Sequence, residues 1–253
     1  MYSLQHKFVM TLQLHKRNCN EQNEVIITTA TSTAIHLNHH HFAKDFLQQN
    51  QLIQQIRTGR GEVFFFNLEN TQCVLRHYRR GGLVAKLSDD KFLWKNIEST
   101  RVYKELKLLQ TMQKNALPVP MPIAGRVIQR GIFYTADIIT QAIPNTQELH
   151  AYLQNQKLHE SLWEDIGYMV KRMHNLNICH DDLNVKNVLI NDTDQVFLID
   201  FDKCYVRKDG DWKKQNISRF RRSIDKHHDR LGSSYQFAKS DWDSFLLGYS
   251  QKV

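Results

Sequence analysis

The 253-residue sequence lacks any long hydrophobic run. Its longest apolar stretches, such as Val63–Phe66 and Val196–Ile199, are far shorter than the roughly 20 residues that span a bilayer. Residues 1–18 mix His, Lys and Gln with apolar residues, and they lack the continuous apolar stretch of a secretory signal. These absences predict a protein that has no transmembrane helix and stays in the cytoplasm.

Cysteine is also scarce, with four residues at positions 19, 73, 179 and 204 and no C-x-x-C pair. This spacing favours reduced, mostly buried thiols over a zinc site or a disulfide framework. The run His39–His41 has no second cluster of metal ligands beside it. We therefore interpret it as a loop or helix end and assign it no function.

Acidic residues are outnumbered, and the formal net charge is +8. This charge implies an anionic partner, which could be nucleic acid, an acidic membrane surface or a phosphorylated small molecule. One basic group extends from Arg207 to Lys226 and includes Arg219, Arg221 and Arg222. A solvated surface is the alternative interpretation of this group.

A hairpin is predicted in the first half of the chain. A glycine turn, Gly59-Arg60-Gly61, precedes two apolar runs at Val63–Phe66 and Cys73–Tyr78. Gly59, Arg60 and Gly61 suit a loop that folds over the phosphates of a nucleotide, with a plain turn as the alternative. The third glycine of the pattern G-x-G-x-x-G is absent.

A helix is predicted over residues 98–115, because apolar residues recur there at helical spacing before three prolines. Glu105 falls beside the apolar stripe, where a buried carboxylate needs a cation or a hydrogen-bond donor. Arg76, on the second strand of the hairpin, stands where a kinase carries its phosphate-binding lysine, and its planar fork can also bind phosphate. We expect Arg76 to pair with Glu105, with Glu98 as second choice and Lys86 as a weaker candidate for the cation.

The second half of the chain predicts a helix, a loop and a hairpin in succession. Ser161 and Glu164 form a capping-box pattern ahead of a helix that ends near Asn177. Two short apolar strands, Val188–Ile190 and Val196–Ile199, flank a turn sequence. The stretch between helix and hairpin is therefore a loop.

This loop matches the kinase pattern H-x-D-L-x-x-x-N over residues 180–187, and Asp200-Phe201-Asp202 matches the D-F-G segment with its last position changed. Asp182 can accept the proton of an attacking hydroxyl, while Asn187 and Asp200 can bind the Mg²⁺ that accompanies ATP. Ordinary turn residues are the alternative, but two coupled motifs in one helix–loop–hairpin context argue against it. We interpret His180 as structural.

These patterns predict an α+β, two-lobed protein-kinase-like fold, with a small, mainly antiparallel-sheet N-lobe and a mainly helical C-lobe. Residues 51–143 would form the N-lobe and residues 144–253 the C-lobe. Residues 1–50 would be an N-terminal extension or divergent N-lobe strands.

The chain resembles the 3-deoxy-D-manno-octulosonic acid (Kdo) kinases of the lipopolysaccharide kinase family from about Gly59 to its C-terminus. The segments that carry the resemblance are Leu75–Gly82, Leu117–Pro120, Cys179–Asn184, Leu198–Cys204, Arg221–Ser223 and Trp242–Tyr249. Asp181 replaces the arginine that meets a phosphorylated activation loop in regulated protein kinases, so control of that kind is not expected.

The resemblance implies ATP-dependent phosphorylation of a Kdo hydroxyl, expected to be the 4-OH, on a Kdo-bearing lipid A precursor. It places the protein peripherally on the cytoplasmic face of the inner membrane, with no nucleic acid partner. Arg219, Arg221 and Arg222 would then attract the acceptor or anionic lipids. The alternatives are a kinase of the same fold acting on proteins or aminoglycosides, and a catalytically dead, lipid-binding scaffold.

Overall fold

The computed structural model describes residues 12–19, 22–58, 61–80 and 90–251. The chain divides into two compact units. Unit 1 comprises the chain up to Gln110 together with Met121–Ala142, and unit 2 comprises Thr111–Pro120 and the chain from Ile143. Among the described residues, no helix is both long enough and apolar enough to cross a membrane.

Unit 1 consists mainly of strands. Its elements are β1 (Gln13–Cys19), β2 (Gln22–Thr28), α1 (Ala30–Ala34), a 3-10 helix (His39–Phe42), α2 (Lys44–Gln49), β3 (Ile53–Thr58), β4 (Glu62–Leu68), β5 (Thr71–His77), β6 (Phe92–Leu93), a 3-10 helix (Ile97–Ser99), α3 (Arg101–Lys114), β7 (Pro122–Arg130) and β8 (Phe133–Gln141). The last turn of α3 already belongs to unit 2.

The strands of unit 1 pair antiparallel in one sheet, in the order β1-β2-β7-β8-β5-β4-β3 over the described residues, with β6 paired to β8. The predicted hairpin is present as β4 and β5. Alternating burial along β4, where Phe64 and Phe66 point inward, is the pattern expected of a strand with one face on the core.

Residues before the hairpin also belong to this sheet and its core. Strand β2 pairs with β7 along its length. Ile26, Phe42 and Leu47 pack in the same apolar cluster as Phe66 and Leu75. Burial of these side chains at about 25 cal/mol per Å² ties the segment from β2 to α2 to unit 1.

Unit 2 is mainly helical. Its elements are β9 (Thr146–Glu148), α4 (Leu149–Asn155), α5 (Glu160–Asn175), β10 (Ile178–Cys179), β11 (Val188–Asn191), β12 (Val196–Leu198), β13 (Tyr205–Val206), α6 (Trp212–Leu231), a 3-10 helix (Gly232–Ser234) and α7 (Lys239–Ser250). Strands β12, β11 and β9 form one small sheet, and β10 pairs with β13. The α+β fold class, with a sheet-rich first part and a helical second part, is confirmed.

The core of unit 2 forms where α5, α6 and α7 bury aromatic and aliphatic side chains such as Trp163, Phe220 and Phe245. Helices α5 and α7 approach closely at Gly248, where an added Cβ would overlap the carbonyl oxygen of Glu164. Only glycine permits this approach, which gives the C-terminal tail a structural function in unit 2.

The structure differs from the sequence predictions at α5 and β3. The predicted capping box at Ser161 and Glu164 is wrong, because α5 begins earlier, at Glu160, with His159 as its N-cap residue. His159 has extended backbone, so Ser161 already lies inside the helix and does not occupy the N-cap position. Strand β3 was not predicted, because its register shifts between Ile53 and Gln55 and interrupts the alternation of a regular strand.

Candidate active site

The loop over residues 180–187 lies between β10 and β11, and two side chains of α6 hold it in place. The backbone N–H of His180 donates to Oδ1 of Asn216 at 3.0 Å, and the backbone N–H of Val185 donates to Oγ of Ser223 at 3.1 Å. Asn216 is buried on the apolar face of α6. These bonds satisfy backbone donors that would otherwise be costly to bury, so they fix the loop's conformation.

His180 links the loop to the segment that carries Asp200. Its Nε2 lies 3.0 Å from the carbonyl oxygen of Ile199, and its ring packs on Phe201. Burial lowers the pKa of His180, so the ring is neutral and Nε2 donates the proton. This geometry supports the structural interpretation of His180, because a buried neutral ring bonded to backbone is poorly placed to exchange protons.

Asp182 and Asn187 are held together through the backbone. Side-chain Nδ2 atoms of Asn187 and Asn184 donate to the carbonyl oxygen of Asp182 at 2.9 and 2.8 Å. In the part of the chain that the structure describes, no hydrogen bond or ion pair engages the carboxylate of half-buried Asp182. That carboxylate is chemically able to accept a proton, and the bond from Nδ2 leaves the amide oxygen of Asn187 as its ligand atom.

The residue before Asp200, Ile199, is hydrogen-bonded to Asn187 through the backbone. The N–H of Ile199 donates to the carbonyl oxygen of Asn187 at 3.0 Å. Asp200 itself is exposed and has left-handed backbone, with φ +64°, while the following Phe201 is buried and anchors the segment. A non-glycine residue in this region is uncommon and recurs at functional sites.

Asn187 and Asp200 thus offer amide and carboxylate oxygens from adjoining backbone. This donor set is the hard, all-oxygen type that Mg²⁺ prefers, and protein sites for Mg²⁺ commonly use one or two carboxylates plus phosphate and water. Among the described residues, no group of three or more His, Cys, Asp or Glu side chains is placed to hold a metal. The oxygens of Asn187 and Asp200 would suit a metal ion that also binds phosphate and water.

Unit 1 contains the expected ion pair between Arg76 of β5 and Glu105 of α3. Nη2 of Arg76 donates to both carboxylate oxygens, at 2.8 and 2.9 Å. The hydroxyl of Tyr78 also donates to Glu105 at 2.6 Å, and the guanidinium of Arg76 lies over the Tyr78 ring. Glu105, 4% exposed, is thus compensated, whereas the second choice, Glu98, is exposed in the 3-10 helix before α3.

The close packing of α3 on β7 sets the position of Glu105. At Gly125 of β7, an added Cβ would overlap Val102 and Leu106, which lie one turn apart on α3 on either side of Glu105. Glycine therefore allows the helix to approach the sheet and brings the carboxylate within reach of Arg76.

The predicted phosphate loop is only partly described. Gly59 and Arg60 lie outside the described residues, as does Lys86. Gly61 precedes β4 and lies against the side chain of Arg79, which an added Cβ would meet at Nε, 2.7 Å away.

The basic set on α6 does not share one surface. Arg219 and Arg222 are exposed, whereas Arg221 donates from Nε to Asp225 at 2.7 Å. The guanidinium of Arg221 also lies over the rings of Phe237 and Trp242 at 5.1 and 5.2 Å. Residues two positions apart on a helix point in directions that differ by about 160°. Arg221 therefore faces away from Arg219 and contributes to packing.

A second charged network in unit 1 was not predicted. Buried Asp137 of β8 accepts from Nε of Arg126 at 2.8 Å and pairs with Nδ1 of His77 at 2.7 Å. The hydrogen bond with Asp137 raises the pKa of His77, against the effect of burial. A carboxylate within an apolar strand was the signal in the sequence, because such a group requires a partner.

The fold is protein-kinase-like, and the comparisons with known proteins specify the family. Residues 44–249 match the model of the lipopolysaccharide kinase (Kdo/WaaP) family. The chain belongs to this family, and it is accordingly a phosphotransferase with an alcohol group as acceptor.

Its relatives agree with this assignment. The chain is similar to proteins named 3-deoxy-D-manno-octulosonic acid kinase from three organisms. The Vibrio parahaemolyticus protein is 42% identical over 73% of this chain and 78% of its own. The Haemophilus influenzae (strain PittEE) protein is 39% identical over 83% and 90%, and the Vibrio cholerae protein is 40% identical over 76% and 81%.

Proposed function

We propose that this chain transfers the terminal phosphate of ATP to a hydroxyl of Kdo, at the 4 position, on a Kdo-bearing lipid A precursor during lipopolysaccharide synthesis. The observation that supports the proposal is the linked backbone of the loop, in which Asn187 bonds to the carbonyl oxygen of Asp182 and to the N–H of Ile199, the residue before Asp200. The names of the relatives supply the sugar, since each is called a Kdo kinase.

In this proposal Asp182 accepts the proton of the Kdo hydroxyl and orients its oxygen toward the terminal phosphate. Asn187 and Asp200 would hold Mg²⁺, whose chemistry in such a site is to neutralise phosphate charge. Arg76 would bind phosphates of the nucleotide, and the buried carboxylate of Glu105 keeps its guanidinium in a fixed orientation. We assign Gly59, Arg60 and Gly61 to the loop over the phosphates.

The exposed cations Arg219 and Arg222 would draw the protein to the acceptor and to the anionic cytoplasmic surface of the inner membrane. Each surface cation contributes about 1 kcal/mol to binding of an anionic bilayer. We leave Arg221 out of this part of the proposal, because its guanidinium pairs with Asp225 and lies over the rings of Phe237 and Trp242.

The test is an assay with Mg²⁺-ATP and a Kdo-bearing lipid A precursor, followed by mass spectrometry and NMR of the product. We expect a mass increase of one phosphate and a phosphorus coupling at position 4 of Kdo. Matched reactions contain a peptide or an aminoglycoside in place of the lipid. Phosphorylation of either one with none on Kdo would refute the proposed acceptor, and ATP binding without any transfer would support a scaffold.

A further inference from the structure

Two imidazole rings lie against each other beside the loop over residues 180–187, with their planes tilted by 37°. His150, in the first turn of α4, lies with its ring centroid 3.9 Å from that of His227 on α6. The ring of Tyr235 packs against both, at 5.7 Å from His150 and 6.1 Å from His227. His150 is only 8% exposed, so this pair is part of the fold and not a solvated surface feature.

The pair is attached to the loop through Val185. The N–H of His150 donates to the carbonyl oxygen of Val185 at 3.1 Å, and the N–H of Val185 donates to Ser223, one helical turn before His227. Both elements that carry the imidazoles therefore contact the same loop residue. Asp182 is three positions earlier in the loop, within roughly 10 Å along the chain.

Basic side chains converge on these rings. Arg230 places Nη2 3.4 Å from Nδ1 of His227, so that nitrogen accepts and the ring is neutral. The pKa of His227 is lowered, first by burial and then by the positive charges of Arg230, Lys186 and Lys226. The pKa of His150 is lowered to about 4, first by burial and then by His227, Lys186 and Arg230.

The acidic neighbours in sequence are Glu148, before α4, and Asp225 and Asp229 on α6. Asp225 pairs with Arg221, and no carboxylate of the described residues is among the groups that shift the pKa of His150 or His227. Lys186, Lys226 and Arg230 are exposed. Like charges that gather without a counter-charge repel one another, and a bound anion removes that cost.

We propose that His150, Lys186, His227 and Arg230 form a binding site for an anionic group of the acceptor, a carboxylate or a phosphate, that positions the acceptor hydroxyl near Asp182. This inference rests on the proposed function and names the feature of the acceptor that the enzyme recognises. Lys186 and Arg230 supply the charge, and the packed imidazoles supply N–H donors. The site differs from the arginine pair, Arg219 and Arg222, because it is built around the loop itself.

The test measures initial rates against acceptor concentration at saturating Mg²⁺-ATP for Lys186→Met and Arg230→Gln. Each change removes a charged contact to the acceptor, so we expect the KM for acceptor to rise roughly ten- to hundredfold. The KM for ATP should change less than threefold. Lys214→Met is the matched control, since Lys214 is an exposed cation of α6 that pairs with Asp211.

Two modified acceptors identify the anion. An acceptor whose Kdo carboxyl is reduced and one whose phosphates are removed are compared with the unmodified lipid. The modification that removes the recognised group should raise the KM of the wild type and abolish the difference between wild type and Lys186→Met. A KM for acceptor that is unchanged in both variants, or raised equally in Lys214→Met, would overturn the proposed site.

If the wild type phosphorylates no Kdo lipid, the proposed function fails and a binding experiment decides on the site. The probe is inorganic phosphate, and the readout is the NMR signals of the His150 and His227 rings in the folded full chain. An anion in the site should raise the pKa of His227 in the wild type and have no such effect in Arg230→Gln. Signals that do not respond to phosphate would refute the site independently of the reaction.

Discussion

The two units differ in what their buried polar side chains contact. In the part of unit 1 that the structure describes, each buried carboxylate pairs with a cationic side chain, as Glu105 does with Arg76 and Asp137 with Arg126 and His77. In unit 2 buried polar groups instead secure the backbone of the loop, as Asn216 does for His180. The comparison indicates that buried charge in unit 1 is paired, whereas buried polar side chains in unit 2 fix the conformation of a loop.

The largest effect should come from the loop of unit 2. Asp182→Asn removes the proton acceptor without removing a metal ligand or a buried contact, so kcat should fall roughly 10³-fold or more while the fold is retained. Initial rates and thermal unfolding of the variant provide the measurement. Asp181→Asn, at the exposed neighbouring residue, is the control. Turnover at the wild-type rate in Asp182→Asn would exclude Asp182 as the base.

The two units should also differ in how one histidine of each makes the free energy of unfolding depend on pH. Burial lowers the pKa of His174 in unit 2 to about 4. The unfolded chain then binds more protons, so the stability that His174 contributes is present above about pH 6.5 and is lost as the pH falls toward 4, by up to roughly 3 kcal/mol.

His77 in unit 1 should show the opposite sign, because Asp137 raises its pKa. Its contribution is fully present below about pH 6.5 and is lost as the pH rises through the raised value. The measurement is the free energy of unfolding of wild type, His77→Gln and His174→Gln between pH 4 and pH 9. Parallel curves for the two variants would contradict the difference between the units.

A smaller effect on activity is expected at the ion pair of unit 1. Arg76→Ala removes the cation that would bind phosphate, so kcat/KM should fall roughly 100-fold, whereas Arg76→Lys keeps the charge and should retain part of the activity. Arg130→Ala, at the exposed end of β7, is the control. A larger loss of kcat/KM in Lys86→Ala than in Arg76→Ala would indicate that Lys86, and not Arg76, binds the phosphates.

The smallest effect concerns the surface of unit 2. Removing Arg219 and Arg222 together should weaken co-sedimentation with anionic vesicles by roughly 30-fold, from about 1 kcal/mol per cation. The loss should diminish in high salt, as the Debye length falls from about 10 Å at 0.1 M to about 3 Å at 1 M. Arg221→Ala should instead destabilise unit 2 with little effect on vesicle binding. Equal vesicle binding by the double variant and the wild type would contradict the membrane function and support the alternative that these residues form a solvated surface.

The parts of the molecule that sequence could predict depend on local spacing. The hairpin of β4 and β5, the helix α3 and the loop over 180–187 each follow from periodicity or a motif within about 20 residues. The partner of Arg76 was also predictable, because Glu105 falls beside a buried stripe and must be compensated there.

Contacts over long sequence separations were not predictable in the same way. The bonds from Asn216 and Ser223 to the loop join residues 36 and 38 positions apart, and the motif itself contains no sign of them. Only Asn216 was detectable in the sequence, because it is a polar residue on the apolar stripe of α6. The opposite orientations of Arg219 and Arg221 follow from helical period only once the bounds of α6 are known.

The most direct test of the whole account compares nucleotide binding by Asp200→Asn and Asp182→Asn, using calorimetry with and without Mg²⁺. If Asp200 holds the metal and Asp182 is the base, Asp200→Asn should lose the Mg²⁺-dependent part of ATP affinity, and Asp182→Asn should keep it while transferring no phosphate. Unchanged Mg²⁺-dependent affinity in Asp200→Asn would contradict the assignment of this loop as the catalytic centre.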